Sequence, residues 1–207
     1  MPSGRIAFFH VFDDFPYFTK EMLRLSQVKF ALSESTLNSY IYKALRDGQI
    51  LKLKRNFYVI RVFYEKHRTD TSYLFSLANI LLKPSYISLE AALQYYGLLT
   101  EAAQYTITSV TLKLPREFKN RTKYVYRNIK EKLFTDFTSV KGNFEFTIAL
   151  PHKAVFDYLY YTTRYFTKGI HRDLLEELRI DTDALSAKEK IPLKKLIAEF
   201  TSIKIDI

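Results

Sequence analysis

The 207-residue chain contains no cysteine and no tryptophan, and it has only 5 glycines. The absence of cysteine excludes disulfide bonds and thiolate metal ligands. Because the few glycines are not clustered, no glycine-rich phosphate-binding loop is expected. The sequence also lacks an apolar run near the roughly 20 residues that a membrane helix needs, and its first ten residues make a poor signal peptide. We therefore expect a cytoplasmic protein without a membrane segment.

Aromatic side chains and positive charge are what the sequence has in quantity. The 17 Phe and 16 Tyr predict an aromatic core, and a hydrophobic content of 47% is typical of a folded chain. The net charge of +10 favours a polyanionic partner, of which nucleic acid is the commonest in the cytoplasm. Residues 1–68 hold 12 Lys and Arg against 6 Asp and Glu, so more than half of the excess lies in the first third of the chain.

Two helices and a hairpin are predicted in this first third. Thr19 is the expected N-cap of the first helix, and the second runs from residue 33 or 35 to about 47, where Gly48 ends it. Residues 49–53 and 57–62 are rich in β-forming side chains, which predicts two short strands with a turn between them.

The second of these helices is amphipathic and leads to the prediction of DNA binding. Its apolar stripe, which includes Leu37 and Ile41, would seat the helix on the one before it. The opposite face offers Asn and Arg side chains for base edges and short hydroxyls for close approach. The predicted DNA-binding residues of the helix and the hairpin are Ser35, Thr36, Asn38, Ser39, Tyr42, Lys43, Arg46, Lys52, Lys54, Arg55 and Asn56.

A polar helix face on its own has an ordinary explanation, because every amphipathic surface helix has one. The hairpin favours DNA binding over this ordinary explanation, since a basic turn directly after a glycine-stopped helix is typical of a wing that lies along the DNA backbone. Lys52, Lys54 and Arg55 would neutralise phosphates, which position a protein without distinguishing sequences. The combination favours a winged helix-turn-helix.

A fold of the α+β class with two domains is predicted, with a winged helix-turn-helix over residues 1–66 and a mixed domain over residues 67–207. The polar stretch 65–70 is the predicted linker. The elements predicted in the second domain are helices at 72–82, 89–96 and 151–165, strands at 106–114, 122–129 and 144–149, and a charged helical tail from Arg172 onward.

Other candidate sites have structural explanations that we prefer. The histidines show no ligand-like spacing, which predicts structural or surface roles for His10, His67, His152 and His171. His152 and Lys153 beside Asp157 suggest acid–base chemistry, but a helix start with one exposed and one inward side explains them better. The aromatic run 156–166 is expected to be mostly core rather than a stacking platform. We predict no catalytic residue, no metal site and no cofactor.

The sequence also predicts roles for two further groups of polar residues. Ser88 is the predicted N-cap of the helix at 89–96. The basic alternation at Lys119, Arg121, Lys123 and Arg127 either extends the DNA footprint or forms a solvated strand face.

Several segments, most of them in the predicted second domain, resemble those of one known protein family. Pro-Ser-Tyr-Ile-Ser-Leu-Glu-Ala-Ala-Leu at 84–93, followed by Tyr-Gly-Leu at 96–98, is similar to a family segment that differs at few positions. The Thr-rich strand at 105–111, the strand and its exit at 126–134, and Ile-Ala-Leu-Pro-His-Lys-Ala at 148–154 also resemble the family. In the predicted winged helix, Phe18-Thr19 and residues 45–50 and 53–58 are similar as well. Over roughly residues 15–165, and in the expected order, the chain thus resembles the AbiEi family of abortive-infection antitoxins.

The resemblance implies a component of a type IV toxin–antitoxin system. Such a protein represses its own operon through the winged helix, and its second domain is needed to counteract a nucleotidyltransferase-like toxin. His152 stands where the family usually has Glu, and Leu150 stands where Thr is common, so this chain departs from the family pattern at the start of the helix at 151–165. The implied partners are double-stranded operator DNA and a toxin encoded next to the gene.

Two rival hypotheses remain at this point. The first is a winged-helix regulator of a mobile element or operon that has no toxin partner. The second is an enzyme that acts on nucleic acid, which no nucleophile motif in the sequence supports.

Overall fold

The computed structural model describes residues 4–99, 106–119, 121–165 and 174–200. The chain divides into two units, Met1–Leu77 and Ala78–Ile207, each of which contains helices and strands. The predicted α+β class is therefore confirmed. The predicted domain boundary after residue 66 lies earlier in the chain than the division between the units. Within the described part of the chain, no helix is both long and apolar enough to cross a membrane.

The first unit combines helices with a small antiparallel sheet. Its helices are α1 (Gly4–His10), α2 (Lys20–Lys29), α3 (Glu34–Arg46), α4 (Arg61–His67) and the greater part of α5 (Thr71–Leu81). Its strands are β1 (Phe18–Thr19), β2 (Ile50–Lys54) and β3 (Phe57–Ile60), in the sheet order β1-β3-β2.

Local signals place the two central helices where they were predicted. The Thr19 side chain accepts a hydrogen bond from Met22 N at 3.3 Å and caps α2. Ser33 caps α3 in the same way, accepting from Thr36 N at 3.1 Å. Gly48 follows α3 with a φ of +68°, a left-handed conformation that favours glycine at the end of a helix.

The core of the first unit is aromatic, as predicted. Part of this core comes from α1, a helix that was not predicted. α1 contributes Phe8 and Phe9, which are fully buried and pack against each other, and Phe9 also packs on Phe18 of β1. The predicted linker at 65–70 was wrong in its first half, because residues 65–67 are the last turn of α4. Tyr64 of α4 is buried, so this helix contributes to the core of the unit.

The second unit is built on a six-stranded mixed sheet with the order β6-β7-β5-β4-β9-β8. The β5–β7 and β4–β9 pairs are parallel, and the other neighbours are antiparallel. The strands are β4 (Ser85–Ile87), β5 (Thr106–Thr111), β6 (Arg116–Lys119), β7 (Lys123–Asn128), β8 (Phe137–Val140) and β9 (Phe146–Ala149). The helices are α6 (Leu89–Tyr95), α7 (Pro151–Thr162), α8 (Leu174–Glu177) and α9 (Ala187–Phe200), with a 3₁₀ turn at Glu131–Leu133.

Most predicted elements of this unit are present with shorter bounds. The strand predicted at 106–114 ends at Thr111, and the helix predicted to reach Tyr165 ends at Thr162. The strands β4, β6 and β8 were not predicted. A helical tail is present in α8 and α9, whereas Arg172, where it was predicted to begin, lies outside the described residues.

Candidate nucleic-acid interface

The exposed face of α3 is polar along its length. Leu37, Ile41 and Ala44 turn the other face into the core of the first unit, so packing holds the polar face in position. The predicted residues on this helix are all at least partly accessible. The exposed ones are Ser35, Asn38, Tyr42, Lys43 and Arg46, and the half-buried ones are Thr36 and Ser39.

Hydroxyl groups order the first turn of α3. Ser33 Oγ lies 2.8 Å from both Ser35 Oγ and Thr36 Oγ1. The predicted groove-facing hydroxyls of Ser35 and Thr36 therefore already have partners in the turn that begins the helix. Asn38 lies just beyond this turn, and its amide has the donor and acceptor that a bidentate contact with a base requires.

An ion-pair cluster holds the C-terminal end of α3. Arg46 Nε lies 3.0 Å from Asp47 Oδ1, and Arg5 Nη1 lies 2.7 Å from Asp47 Oδ2. The hydrogen bond from Arg46, together with the one from Arg5, lowers the pKa of Asp47. Because Asp47 already pairs with Arg46, a contact of Arg46 with a base or phosphate would compete with this ion pair. Tyr42, which is 67% exposed, and Lys43 lie on the same face.

The hairpin after α3 presents two exposed cations. β2 and β3 pair antiparallel with a register shift between Lys52 and Lys54, and Lys52 and Arg55 are exposed. Lys54, predicted in the turn, is the last residue of β2, and its Nζ lies 4.0 Å from the centroid of the Phe57 ring. Lys54 is half-buried in this position, so Lys52 and Arg55 are the more accessible cations for a phosphate.

Asn56 has a backbone role in the same turn. It adopts a left-handed conformation with a φ of +65°, which Asn tolerates better than most residues. Its carbonyl accepts a hydrogen bond from Lys20 N at 3.0 Å. The structure thus places this predicted DNA-binding residue where it joins the hairpin to the start of α2.

Sequence reasoning missed the cations of α2. Lys20 Nζ and Arg24 Nη2 lie 3.3 Å and 3.0 Å from Glu34 Oε1 at the start of α3. The hydrogen bond from Arg24 lowers the pKa of Glu34. Lys29 is exposed at the end of the same helix. Lys20 and Arg24 are too far from Glu34 along the chain for a helical spacing to reveal their ion pairs.

In the second unit, His152, Lys153 and Asp157 lie on the first turns of α7, where a helix start was predicted. The prediction of one exposed side was wrong, because all three side chains are buried. Lys153 Nζ donates to Asp157 Oδ1, and Ser88 Oγ and Tyr86 OH donate to Asp157 Oδ2 at 2.8 Å and 3.0 Å. Burial raises the pKa of Asp157, and the Lys153 ammonium opposes that rise.

The predicted cap at Ser88 was also wrong in its mechanism. Ser88 is the N-cap residue of α6, but its side chain makes no cap hydrogen bond because it is directed to Asp157. The Thr108 hydroxyl instead accepts from Ala91 N at 3.0 Å and donates to the Ser88 carbonyl at 2.7 Å. The start of α6 is therefore held by the neighbouring strand β5.

The aromatic run of α7 is divided between core and surface. Phe156 and Tyr160 are buried, with ring centroids 6.2 Å apart, as the core interpretation predicts. Tyr158 and Tyr161 are half-buried, and Tyr165 is 57% exposed. Phe166 lies outside the described residues.

The basic alternation of the second unit lies at the surface. Lys119, Arg121 and Arg127 are exposed, and Lys123 Nζ lies 3.2 Å from Glu117 Oε1. This placement is compatible with both interpretations offered for it.

The histidines that the structure describes are paired with side chains rather than grouped. His10 Nδ1 lies 2.6 Å from Asp13 Oδ2, His152 Nδ1 lies 2.5 Å from Glu189 Oε2, and the His67 ring packs on Phe63. His171 lies outside the described residues. Over residues 4–99, 106–119, 121–165 and 174–200, no three His, Asp or Glu side chains converge as metal ligands would.

Comparison with known proteins adds no assignment to this geometry. No model of a protein family matches the chain, and no curated protein matches it.

Proposed function

We propose that the first unit is a winged helix-turn-helix that binds double-stranded DNA. The observation that carries the proposal is the exposed polar face of α3, fixed by a buried apolar face and followed directly by a hairpin with exposed Lys52 and Arg55. α2 and α3 supply the two helices, with α3 as the recognition helix in the major groove. The β2–β3 hairpin supplies the wing along the phosphate backbone.

The charge of the first unit favours the same function. Residues 1–68 carry twice as many basic as acidic residues, with 12 against 6. The Lys and Arg side chains of the wing would release counterions from DNA on binding, which makes affinity depend on salt. On this assignment the wing contributes affinity for any DNA, and α3 contributes preference for one sequence.

The wing assignment predicts a change in salt dependence. Replacing both Lys52 and Arg55 by Ala in one variant is expected to weaken binding to specific and random DNA alike. The slope of log affinity against log salt should become shallower by about one unit for each phosphate that the variant no longer neutralises. Fluorescence anisotropy at several salt concentrations measures both quantities.

The control for this experiment is Lys141→Ala together with Lys113→Ala, which removes two exposed cations of the second unit. The control should leave the slope unchanged if the first unit binds DNA alone. Equal slopes for the wing variant and the unaltered protein would contradict the assignment of the wing.

The recognition-helix assignment predicts a change in sequence preference. Asn38→Ala is expected to cost about 1–3 kcal/mol of discrimination at one base position, because the variant has no amide to pair with the base edge. Binding to random DNA should change little. Affinities for a panel of operator variants, each altered at one base pair, measure the effect, and an equal loss on all sequences would exclude a base contact by Asn38.

We further propose that the protein is an autorepressor and antitoxin that acts in the cytoplasm. The support is the resemblance of the segments between residues 84 and 157 to AbiEi antitoxins, which extends beyond the DNA-binding region. In this proposal the protein binds the operator of its own operon, and the second unit counteracts a nucleotidyltransferase-like toxin. We assign it no enzymatic role.

Co-expression with the product of the adjacent gene tests the antitoxin proposal. Growth should stop when the neighbour is expressed alone and resume when both proteins are present. If the neighbouring gene does not encode a nucleotidyltransferase, the winged-helix regulator without a toxin partner becomes the better proposal. Turnover of labelled DNA or RNA with divalent metal, abolished by a point substitution, would instead indicate an enzyme.

A further inference from the structure

A cavity of about 320 Å³ lies in the second unit, between the start of α6, the end of β7 and the last turn of α7. This volume is at the lower end of the range of roughly 300–1,000 Å³ that is usual for small-molecule sites. The chemically distinctive side chains around it are Glu90, Arg127, Tyr158, Tyr161, Arg164 and Tyr165. None of the DNA-binding residues predicted on α3 and the β2–β3 hairpin lines this cavity.

One carboxylate oxygen in the cavity lacks a donor. Glu90 Oε2 is buried and accepts no hydrogen bond from any residue that the structure describes. A carboxylate oxygen removed from water without a donor is costly, and such a group in a folded protein calls for an explanation. Because Glu90 lies on the cavity wall, an N–H or O–H group of a molecule in the cavity would complete its hydrogen bonding.

Two guanidinium groups and three tyrosine rings complete the lining. Arg127 and Arg164 are exposed and carry two positive charges against the one negative charge of Glu90. Tyr165 is 57% exposed, and its ring centroid lies 5.9 Å from that of Tyr161. Such a mixture offers guanidinium groups for a phosphate and aromatic faces for a flat ring.

The titration of the tyrosines shows how close these groups are. Burial raises the pKa of Tyr158, and the nearby Glu90 carboxylate raises it further. Burial also raises the pKa of Tyr161, whereas the positive charge of Arg127 opposes that rise. Glu90 therefore lies near enough to Tyr158, and Arg127 near enough to Tyr161, for their charges to act on the hydroxyl groups.

The backbone around the cavity adopts an uncommon conformation at three positions. Leu89, Arg164 and Tyr165 have φ values of +58°, +51° and +64°, in the left-handed region that favours glycine. Residues other than glycine persist there only where the surrounding structure holds them, and they occur often at binding sites. Here the conformation brings Arg164 and Tyr165 to the cavity at the end of α7.

We propose that this cavity binds a purine mononucleotide. Arg127 and Arg164 contact the phosphate, the exposed ring of Tyr165 stacks on the base, and Glu90 accepts hydrogen bonds from the N–H groups of the base edge. A simple anion would leave Glu90 without a partner, and a simple cation would be repelled by the two guanidinium groups. A purine nucleotide offers a phosphate to the two guanidinium groups and N–H donors to Glu90. Guanine has adjacent N–H donors, so a guanine nucleotide should bind more tightly than an adenine nucleotide.

Isothermal titration of the full chain with guanosine monophosphate tests this site directly. Adenosine monophosphate, uridine monophosphate, guanosine and inorganic phosphate are the comparison ligands. Glu90→Gln is expected to weaken the binding of guanosine monophosphate about tenfold or more, because the amide cannot form the charge-assisted hydrogen bond, whereas the binding of inorganic phosphate should not weaken. Arg127→Ala should weaken both ligands.

Matched controls are available in the same unit. Glu131→Gln and Arg116→Ala alter exposed residues away from the cavity lining and should leave all affinities unchanged. Thermal melting of each variant checks that it is folded, and Arg127→Ala keeps the test informative if Glu90→Gln fails to fold. The proposal is overturned if no mononucleotide binds, or if Glu90→Gln and Arg127→Ala bind the nucleotide as the unaltered protein does.

Discussion

Replacing Lys153 with Met is expected to lower the free energy of unfolding by about 3–5 kcal/mol, which is the cost of breaking a buried ion pair by removing one partner. Lys153 and Asp157 are fully buried one helical turn apart on α7. Without the ammonium group, the Asp157 carboxylate would keep only its hydrogen bonds from Ser88 and Tyr86. Urea denaturation followed by circular dichroism measures the decrease in stability.

The double substitution Lys153→Met with Asp157→Leu is the matched control. It removes both charges and fills the site with apolar groups, and such replacements of buried ion pairs are often neutral or stabilising. The double variant should therefore be more stable than Lys153→Met or Asp157→Leu alone. A double variant as unstable as the sum of the two single variants would show that the charges do not interact in the folded protein.

The same pair predicts a dependence on pH. Burial raises the pKa of Asp157 in the folded chain, and removing the Lys153 ammonium should raise it further. A carboxyl whose pKa is higher in the folded than in the unfolded state, where it is about 3.9, favours folding at low pH. This contribution disappears as pH rises through the folded pKa. The instability of Lys153→Met should therefore be larger at neutral pH than in mild acid.

The burial of this pair shows where sequence reasoning stops. On a helix, Lys and Asp four residues apart are usual at a solvated surface, and nothing local distinguishes a buried example. α7 packs against α6, α9 and β9, and these contacts between distant parts of the chain cover the pair. The acceptor role of Asp157 likewise depends on Tyr86 and Ser88, which lie about seventy residues earlier.

The helix α3 was predictable because several local signals coincide. The hydroxyl cap at Ser33, the apolar period of Leu37, Ile41 and Ala44, and the left-handed Gly48 all act within a few residues. The strand β4 has no such signal. It has three residues and forms through partners far along the chain, such as Ile87 opposite Ile148.

The exposed residues of the candidate interface were predictable, but the contacts that these residues make within the protein were not. Alternation of polar and apolar residues was enough to place Asn38 and Tyr42 on the accessible face of α3. It could not reveal that Arg46 pairs with Asp47, or that the Asn56 carbonyl binds the start of α2. Those contacts depend on the folded turn and on neighbouring helices, which a single periodic pattern does not encode.

A second large effect is expected from Leu37→Ala, which should lower the free energy of unfolding of the first unit by about 2–5 kcal/mol. Leu37 is fully buried on the core face of α3, and its truncation would leave a cavity in the hydrophobic cluster to which Ile41 also belongs. Its effect on DNA should come through the folded fraction alone. Total affinity should fall as the unit unfolds, whereas the preference among operator variants should stay the same.

The neighbouring variant Asn38→Ala is the control, because it alters an exposed residue on the same turn. It should change stability by only about 0.5 kcal/mol or less while reducing the preference for one base. Measured together by urea denaturation and anisotropy, the pair separates packing from recognition. If Leu37→Ala altered base preference in the folded protein, or Asn38→Ala altered stability alone, the division of α3 into a core face and a DNA face would be wrong.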